Sequence, residues 1–181
     1  RKNNMQFIIN MIDKLIDKQG ELTSFLIYPL VLIVLFEVLM RYLFNAPTIW
    51  GFEATAFAYG LHYMFGLSYT ERHGGHVKVD ILTARLTEKN QAILGILTYA
   101  FIFLPVFSFM TVGAFQFAHT SILMRELNST SWAPPIYPFK ALMGLCFLFL
   151  LIQGFGTLLK HVRTLMNSNS EQEEKEVSNE S

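Results

Sequence analysis

Residues 90–124, NQAILGILTYAFIFLPVFSFMTVGAFQFAHTSILM, run for 35 residues without an Asp, Glu, Lys or Arg. A helix needs about 20 mostly apolar residues to cross a hydrocarbon core of about 30 Å. This stretch exceeds that length. Three other runs are similarly poor in charge. Residues 22–36 are uncharged and continue past Glu37 to Met40, and 54–70 and 141–159 are uncharged throughout. The pattern predicts an all-α membrane protein with four transmembrane helices, near 22–44, 51–70, 91–118 and 138–160. Inside lipid each backbone polar group must be satisfied within its own segment, which favours helices. A soluble four-helix bundle would need a polar face at 3.6-residue spacing. Runs such as LIYPLVLIVLF (26–36) and LGILTYAFIFLPVFSFM (94–110) have none.

Composition agrees. The 181 residues are 52% hydrophobic and only 15% charged, against about 25% charged in soluble domains. Such hydrophobicity excludes a disordered chain. A single cysteine, Cys146, excludes a disulfide scaffold. A net charge of zero argues against a nucleic-acid partner. Of the 28 charged residues, 15 lie in the first 21 and last 22 positions. Lys and Arg number 11 in the N-terminal segment, the second loop and the tail, against 3 (Arg41, Arg125, Lys140) on the other side. The positive-inside rule then puts both termini in the cytoplasm, as an even number of spans requires. The first apolar stretch is too long for a signal peptide, and no small-residue cleavage site follows it.

Residues 1–21 form a separate unit. Phe7, Ile8, Met11, Ile12, Leu15 and Ile16 recur at spacings of three and four, opposite Asn10, Asp13, Lys14, Asp17 and Lys18. This predicts an amphipathic helix, lying in the membrane interface or docked on a partner. The tail, 161–181, is polar and acidic without apolar periodicity, so disorder is expected there. Pro29 and Pro105 fall inside spans and predict local kinks.

The polar residues within the membrane part are few. Glu37 and Arg41 sit at i and i+4, where they can pair. An ionised group at the bilayer centre costs about 2.5–3.5 kcal/mol on insertion scales, so pairing makes such a residue tolerable. Both could equally face another subunit. Glu53 opens the second span beside Trp50, where a carboxylate meets the positive end of the helix dipole. His62 lies mid-span and reads best as a hydrogen-bonded packing residue. Ala54/Ala58 and Ala56/Gly60 permit close helix approach, as do Gly154 and Gly156 in the fourth span. The second loop, ERHGGHVKVD (71–80), is the densest polar stretch. Its His73, His76 and Asp80 match no standard zinc spacing. Thr87 can cap the start of the third span. Three prolines in 134–138 rule out helix in the third loop. Trp132 and Tyr137 there suit the aromatic belt, and Lys140 can snorkel to the interface.

No catalytic constellation, metal site or cofactor site emerges, so an enzyme is not expected. The best rival is a redox-enzyme membrane anchor, binding haem or quinone through His62 or His119. A self-sufficient proton-coupled exporter using Glu37 or Glu53 is a third possibility. With four spans, the chain is small for a complete transporter with midplane sites between repeats.

Two stretches carry a family resemblance. RYLFNAPTIWGFE (41–53) and RHGGHVKVD (72–80) resemble the loop motifs of the small permease subunit of tripartite ATP-independent periplasmic (TRAP) transporters. Tyr137–Lys140, leading on to Gln153-Gly154, is similar too. The resemblance implies a bacterial inner-membrane protein that performs no chemistry. It implies two partners: a large multi-span permease holding substrate and sodium sites, and a periplasmic binding protein delivering an organic acid. Under that resemblance Glu37, Arg41, Trp50 and Glu53 are expected to meet the large subunit. Arg72, His76 and Asp80 order the cytoplasmic loop, and Ser129, Trp132, Tyr137 and Lys140 face the binding protein.

Overall fold

Proline has no N–H to donate, and its ring crowds the carbonyl four residues earlier. For Pro29 that carbonyl belongs to Phe25. In the computed structural model, which describes residues 2–75 and 86–179, α1 (Lys2–Ser24) stops just before Phe25, and α2 (Ile27–Tyr42) starts after Leu26. The N–H groups of Leu26 and Tyr28 reach back only three residues, to Thr23 and Phe25. Pro105 bears on Phe101 in the same way. There the helix widens into a π turn over Tyr99–Phe103, between α4 (Glu88–Thr98) and α5 (Leu104–Met124). Thr87 caps α4, its side chain accepting from the N–H of Asn90. The remaining helices are α3 (Gly51–Arg72) and α6 (Tyr137–Asn179).

The central helix is α6, which packs on α1, α3, α4, the π turn and α5, whereas α2 packs chiefly on α3. Successive contacts show that α1 runs antiparallel to α3. Thr23 accepts from His62 through its carbonyl at 3.2 Å, given the Nδ1–H tautomer. Gln19 bonds the Phe65 carbonyl and the Ser68 hydroxyl. Asp17 meets Arg72 at the end of α3.

The N-terminal segment is helical and packs on this chain's own α3 and α6. Its buried stripe is Ile9, Ile12 and Ile16, while Phe7, Ile8, Met11 and Leu15 stay exposed. The apolar arc is wide enough for two surfaces, and only one of them touches the body of the protein.

Polarity is arranged inside out. Gln153, Ser68, Ser121, Thr111, Glu37, Glu53, Glu71 and Lys140 are buried. Phe52, Phe101, Phe109 and Leu123 point outward and are at least 70% exposed. A soluble protein would reverse this. Among the described residues three helices are long and apolar enough to cross a membrane. They are Asn4–Tyr42 taken through the break, Glu88–Met124 and Tyr137–Ser168. The second expected span, α3, has 22 residues, enough length, but its composition is less apolar. Its polar members Glu53, Ser68 and Glu71 are the ones turned inward.

Helix α6 runs on to Asn179, where the composition suggested disorder. Glu, Gln and Lys are good helix formers, and a tail that continues an existing helix bears no nucleation cost.

Candidate functional site

The corner between α2 and α3 is built on one carboxylate. Glu37 is nearly buried and accepts from Arg41 at 2.7 Å, one helical turn on. It also accepts from the Thr48 hydroxyl across the connecting loop. The Thr48 oxygen in turn accepts from the Gly51 N–H at 3.1 Å, so it caps the start of α3. Gly51 leaves room here: a Cβ would press on both the Glu37 carboxylate and the Thr48 hydroxyl. Asn45 lets the chain leave α2 in a left-handed conformation, φ 50°, which Asn tolerates better than most residues. Trp50 stacks on Phe36 with ring centroids 5.8 Å apart. Arg41 is half exposed beyond its pairing with Glu37.

Glu53, in the first turn of α3, is buried and receives the side-chain amide of Asn128 at 3.4 Å. Asn128 belongs to a short hairpin-like loop joining α5 to α6. There the Asn128 N–H bonds the Pro134 carbonyl and the Ile136 N–H bonds the Glu126 carbonyl. Leu127 and Pro135 form the bridge between the two arms. Glu126 anchors this loop to α6 through a 2.5 Å ion pair with Lys140. Lys140 also lies 3.8 Å from the centre of the Phe117 ring of α5, a favourable cation–π position. The Lys140 ammonium holds the Glu126 carboxyl below its ordinary value of 4.5.

At the opposite end, α1, α3 and α6 are stapled together by charge. Arg72 pairs with Asp17 at 2.5 Å and donates to the backbone carbonyl of Asp13. Lys160 of α6 pairs with the Asp13 carboxylate at 2.8 Å. Glu71 is buried beside this staple and accepts from the hydroxyl of Tyr99 in the π turn.

Several expectations change on this geometry. Glu37 and Glu53 are spent largely on internal bonds, while Arg41 and Trp50 remain partly exposed at the corner. Lys140 is only 9% exposed and turns inward, where it pairs with Glu126 and lies over the Phe117 ring. Ser129 and Trp132 are exposed and Tyr137 is half-buried. Arg72 holds α1, a role that loop composition alone did not suggest. His76 and Asp80 lie outside the described residues. Gly154 and Gly156 serve internal packing, receiving Phe103 and Ile12. Thr48, Asn128, Glu126, Asp13 and Lys160 were missed as partners. Only Thr48, three residues before the first helical Gly51, carried a local signal, that of a helix cap.

A polar interior under an apolar exterior, with paired charges at both ends, defines a multi-pass helical membrane protein. Residues 30–164 match the family described as tripartite ATP-independent periplasmic transporters, DctQ component. The chain belongs to that family, a transporter component and not an enzyme family. It is 27% identical over 117 residues to the C4-dicarboxylate TRAP transporter small permease protein DctQ of Vibrio cholerae serotype O1. That alignment covers 62% of this chain and 48% of the relative. It is also 27% identical over 99 residues to the sialic acid TRAP transporter permease protein SiaT of Haemophilus influenzae, covering 55% of this chain and 16% of that protein. The chain thus spans less than half the length of each of these relatives.

Proposed function

We propose that this chain is the small, static membrane subunit of a sodium-coupled, binding-protein-dependent transporter that imports an organic acid. In this reading it crosses the bacterial inner membrane four times, with both termini in the cytoplasm. It enlarges the scaffold against which a large permease subunit moves its substrate. One observation carries the reading beyond family membership. Helix α2 packs chiefly on α3, leaving Val31, Leu32, Leu35, Val38 and Leu39 exposed along it. A helix this apolar and this poorly covered suits contact with lipid and with a larger partner. Glu37 and Glu53 hold the outer corner in shape, and Arg41 and Trp50 present it to the large subunit. Ser129 and Trp132 give the outer loop a face for the binding protein, while Lys140 fixes that loop from beneath.

The test is co-purification from membranes expressing both subunits. The wild-type chain is expected to carry the large permease with it, and Arg41→Glu to reduce the yield of complex. Retention of full complex and full uptake by Arg41→Glu removes Arg41 from the interface.

A further inference from the structure

Helices α1, α3 and α6 leave an open groove between them, with a volume of about 640 Å³. One wall is residues 15–26, along α1 and the break after it. The others are Leu61 and Phe65 of α3 and Leu142, Leu145 and Phe149 of α6. Leucine and phenylalanine make up most of the lining, and Lys18 is its one charged member among the described residues.

The groove has a polar end and an apolar end. Along the antiparallel α1–α3 contact, Asp17 meets Arg72 and Thr23 meets His62. Lys18 therefore lies beside the charged staple, and the leucine wall leads away from it. Residues 15–26 extend about 16 Å at 1.5 Å per residue. That is about half of a hydrocarbon core of about 30 Å, the depth of one leaflet. Lys18 is exposed. The acids next to it on α1 face elsewhere: Asp17 pairs with Arg72, and Glu21 lines a separate recess with His62 and Thr70. Lys14, one turn earlier, is exposed too, and like charges at i and i+4 repel, so an anion is favoured there.

A cation at one end of an apolar slot one leaflet deep is complementary to an anionic amphiphile. Helix seats in membranes favour glycine, alanine and serine, which let backbones close. None of these lines the groove, and its bulky walls suit a flexible chain better than a second helix.

We propose that the groove binds one anionic phospholipid of the cytoplasmic leaflet, its phosphate on Lys18 and one acyl chain laid between α1, α3 and α6. The lipid fills the cleft beside the N-terminal helix and helps seat that helix on the spans. The proposal rests on the membrane orientation given above and requires nothing of the large subunit.

The experiment uses the full chain, purified in detergent, stripped of lipid and titrated with phosphatidylglycerol or phosphatidylcholine, bound lipid being counted by native mass spectrometry. The wild-type chain is expected to bind one phosphatidylglycerol in preference to phosphatidylcholine. Lys18→Gln is expected to weaken phosphatidylglycerol binding about tenfold, as a hydrogen bond between charged groups is lost, and to leave phosphatidylcholine unchanged. Lys18→Arg is expected to retain the preference. Leu142→Trp, at an already exposed position at the apolar end, is expected to weaken binding of both lipids. A phosphatidylglycerol with a photoreactive diazirine at its acyl terminus is expected to label Leu142 or Phe149. No preference in the wild-type chain, or labelling confined to other faces, overturns the proposal and leaves the subunit reading intact. A cross-link from Leu142→Cys, in a Cys146→Ser background, to the large subunit in native membranes, with no lipid retained by that complex, also overturns it. Termini labelled from outside the cell overturn the orientation and with it the leaflet, a result separate from any loss of lipid binding.

Discussion

Asp13 of α1 and Lys160 of α6 stand 147 positions apart in the chain and close an ion pair at 2.8 Å. The same carboxylate lies 3.9 Å from the Arg72 guanidinium of α3. Three helices are therefore joined at one end by one acid. An ion pair of this partly exposed kind contributes about 0.2–1 kcal/mol. Lys160→Ala is expected to lower the thermal midpoint of the purified chain by a few degrees at most, since about 1 kcal/mol moves a domain of 150–250 residues by roughly 2–4 °C. Asp13→Asn is expected to cost more, because it weakens two contacts together. A double variant should cost less than the sum of the two, and strict additivity measured by thermal unfolding in detergent argues against the staple.

The α2–α3 corner gives a second prediction. Thr48 donates to Glu37 and caps α3 with the same oxygen. Thr48→Ser keeps both roles and is expected to behave as wild type. Thr48→Val removes both and is expected to loosen the α2–α3 corner. Gly51→Ala pushes a methyl group into Glu37 and is expected to be worse, as overpacking commonly costs about 1–3 kcal/mol. Trp50, stacked on Phe36, is a built-in reporter. In a Trp132→Phe background its emission should shift to the red in Thr48→Val and Gly51→Ala. An unchanged spectrum and midpoint in Gly51→Ala contradicts this corner geometry.

The loop between α5 and α6 should depend on pH. Glu126 has its carboxyl lowered below 4.5, chiefly through Lys140. A group whose folded value is depressed stabilises the folded state above its unfolded value. That contribution is lost as pH falls through the lower, folded value. The loop is therefore expected to be firm above about pH 4.5 and to loosen below it. Trp132 emission, followed in a Trp50→Phe background, measures this directly. Glu126→Gln should abolish the acid-side change, and persistence of the same transition in that variant assigns it to another group.

The sequence showed some of these features and hid others for physical reasons. Charge-free length revealed the apolar helices, and Pro29 and Pro105 marked the break and the π turn. The Glu37–Arg41 pair was visible because i and i+4 share a helix face. Its third member, Thr48, was not, since a loop and not a helix brings it there. The Asp13–Lys160 pair was invisible for the same reason on a larger scale: no local periodicity relates α1 to α6. Periodicity placed Ile12 and Ile16 on an apolar face but could not choose Ile9 over Phe7 and Met11, because the arc is wider than the contact. Lys140 misled because a lysine near a helix end ordinarily snorkels; a nearby acid and an aromatic ring hold it inward instead.

The central claim is that this chain scaffolds a transporter whose substrate path lies in another subunit. The direct measurement is sodium-driven organic-acid uptake by proteoliposomes containing the large permease, supplied with binding protein, with and without this chain. Uptake is expected only when the chain and the large subunit are both present, and none from the chain alone. Full uptake without the chain, or sodium-driven uptake by the chain alone, contradicts the account.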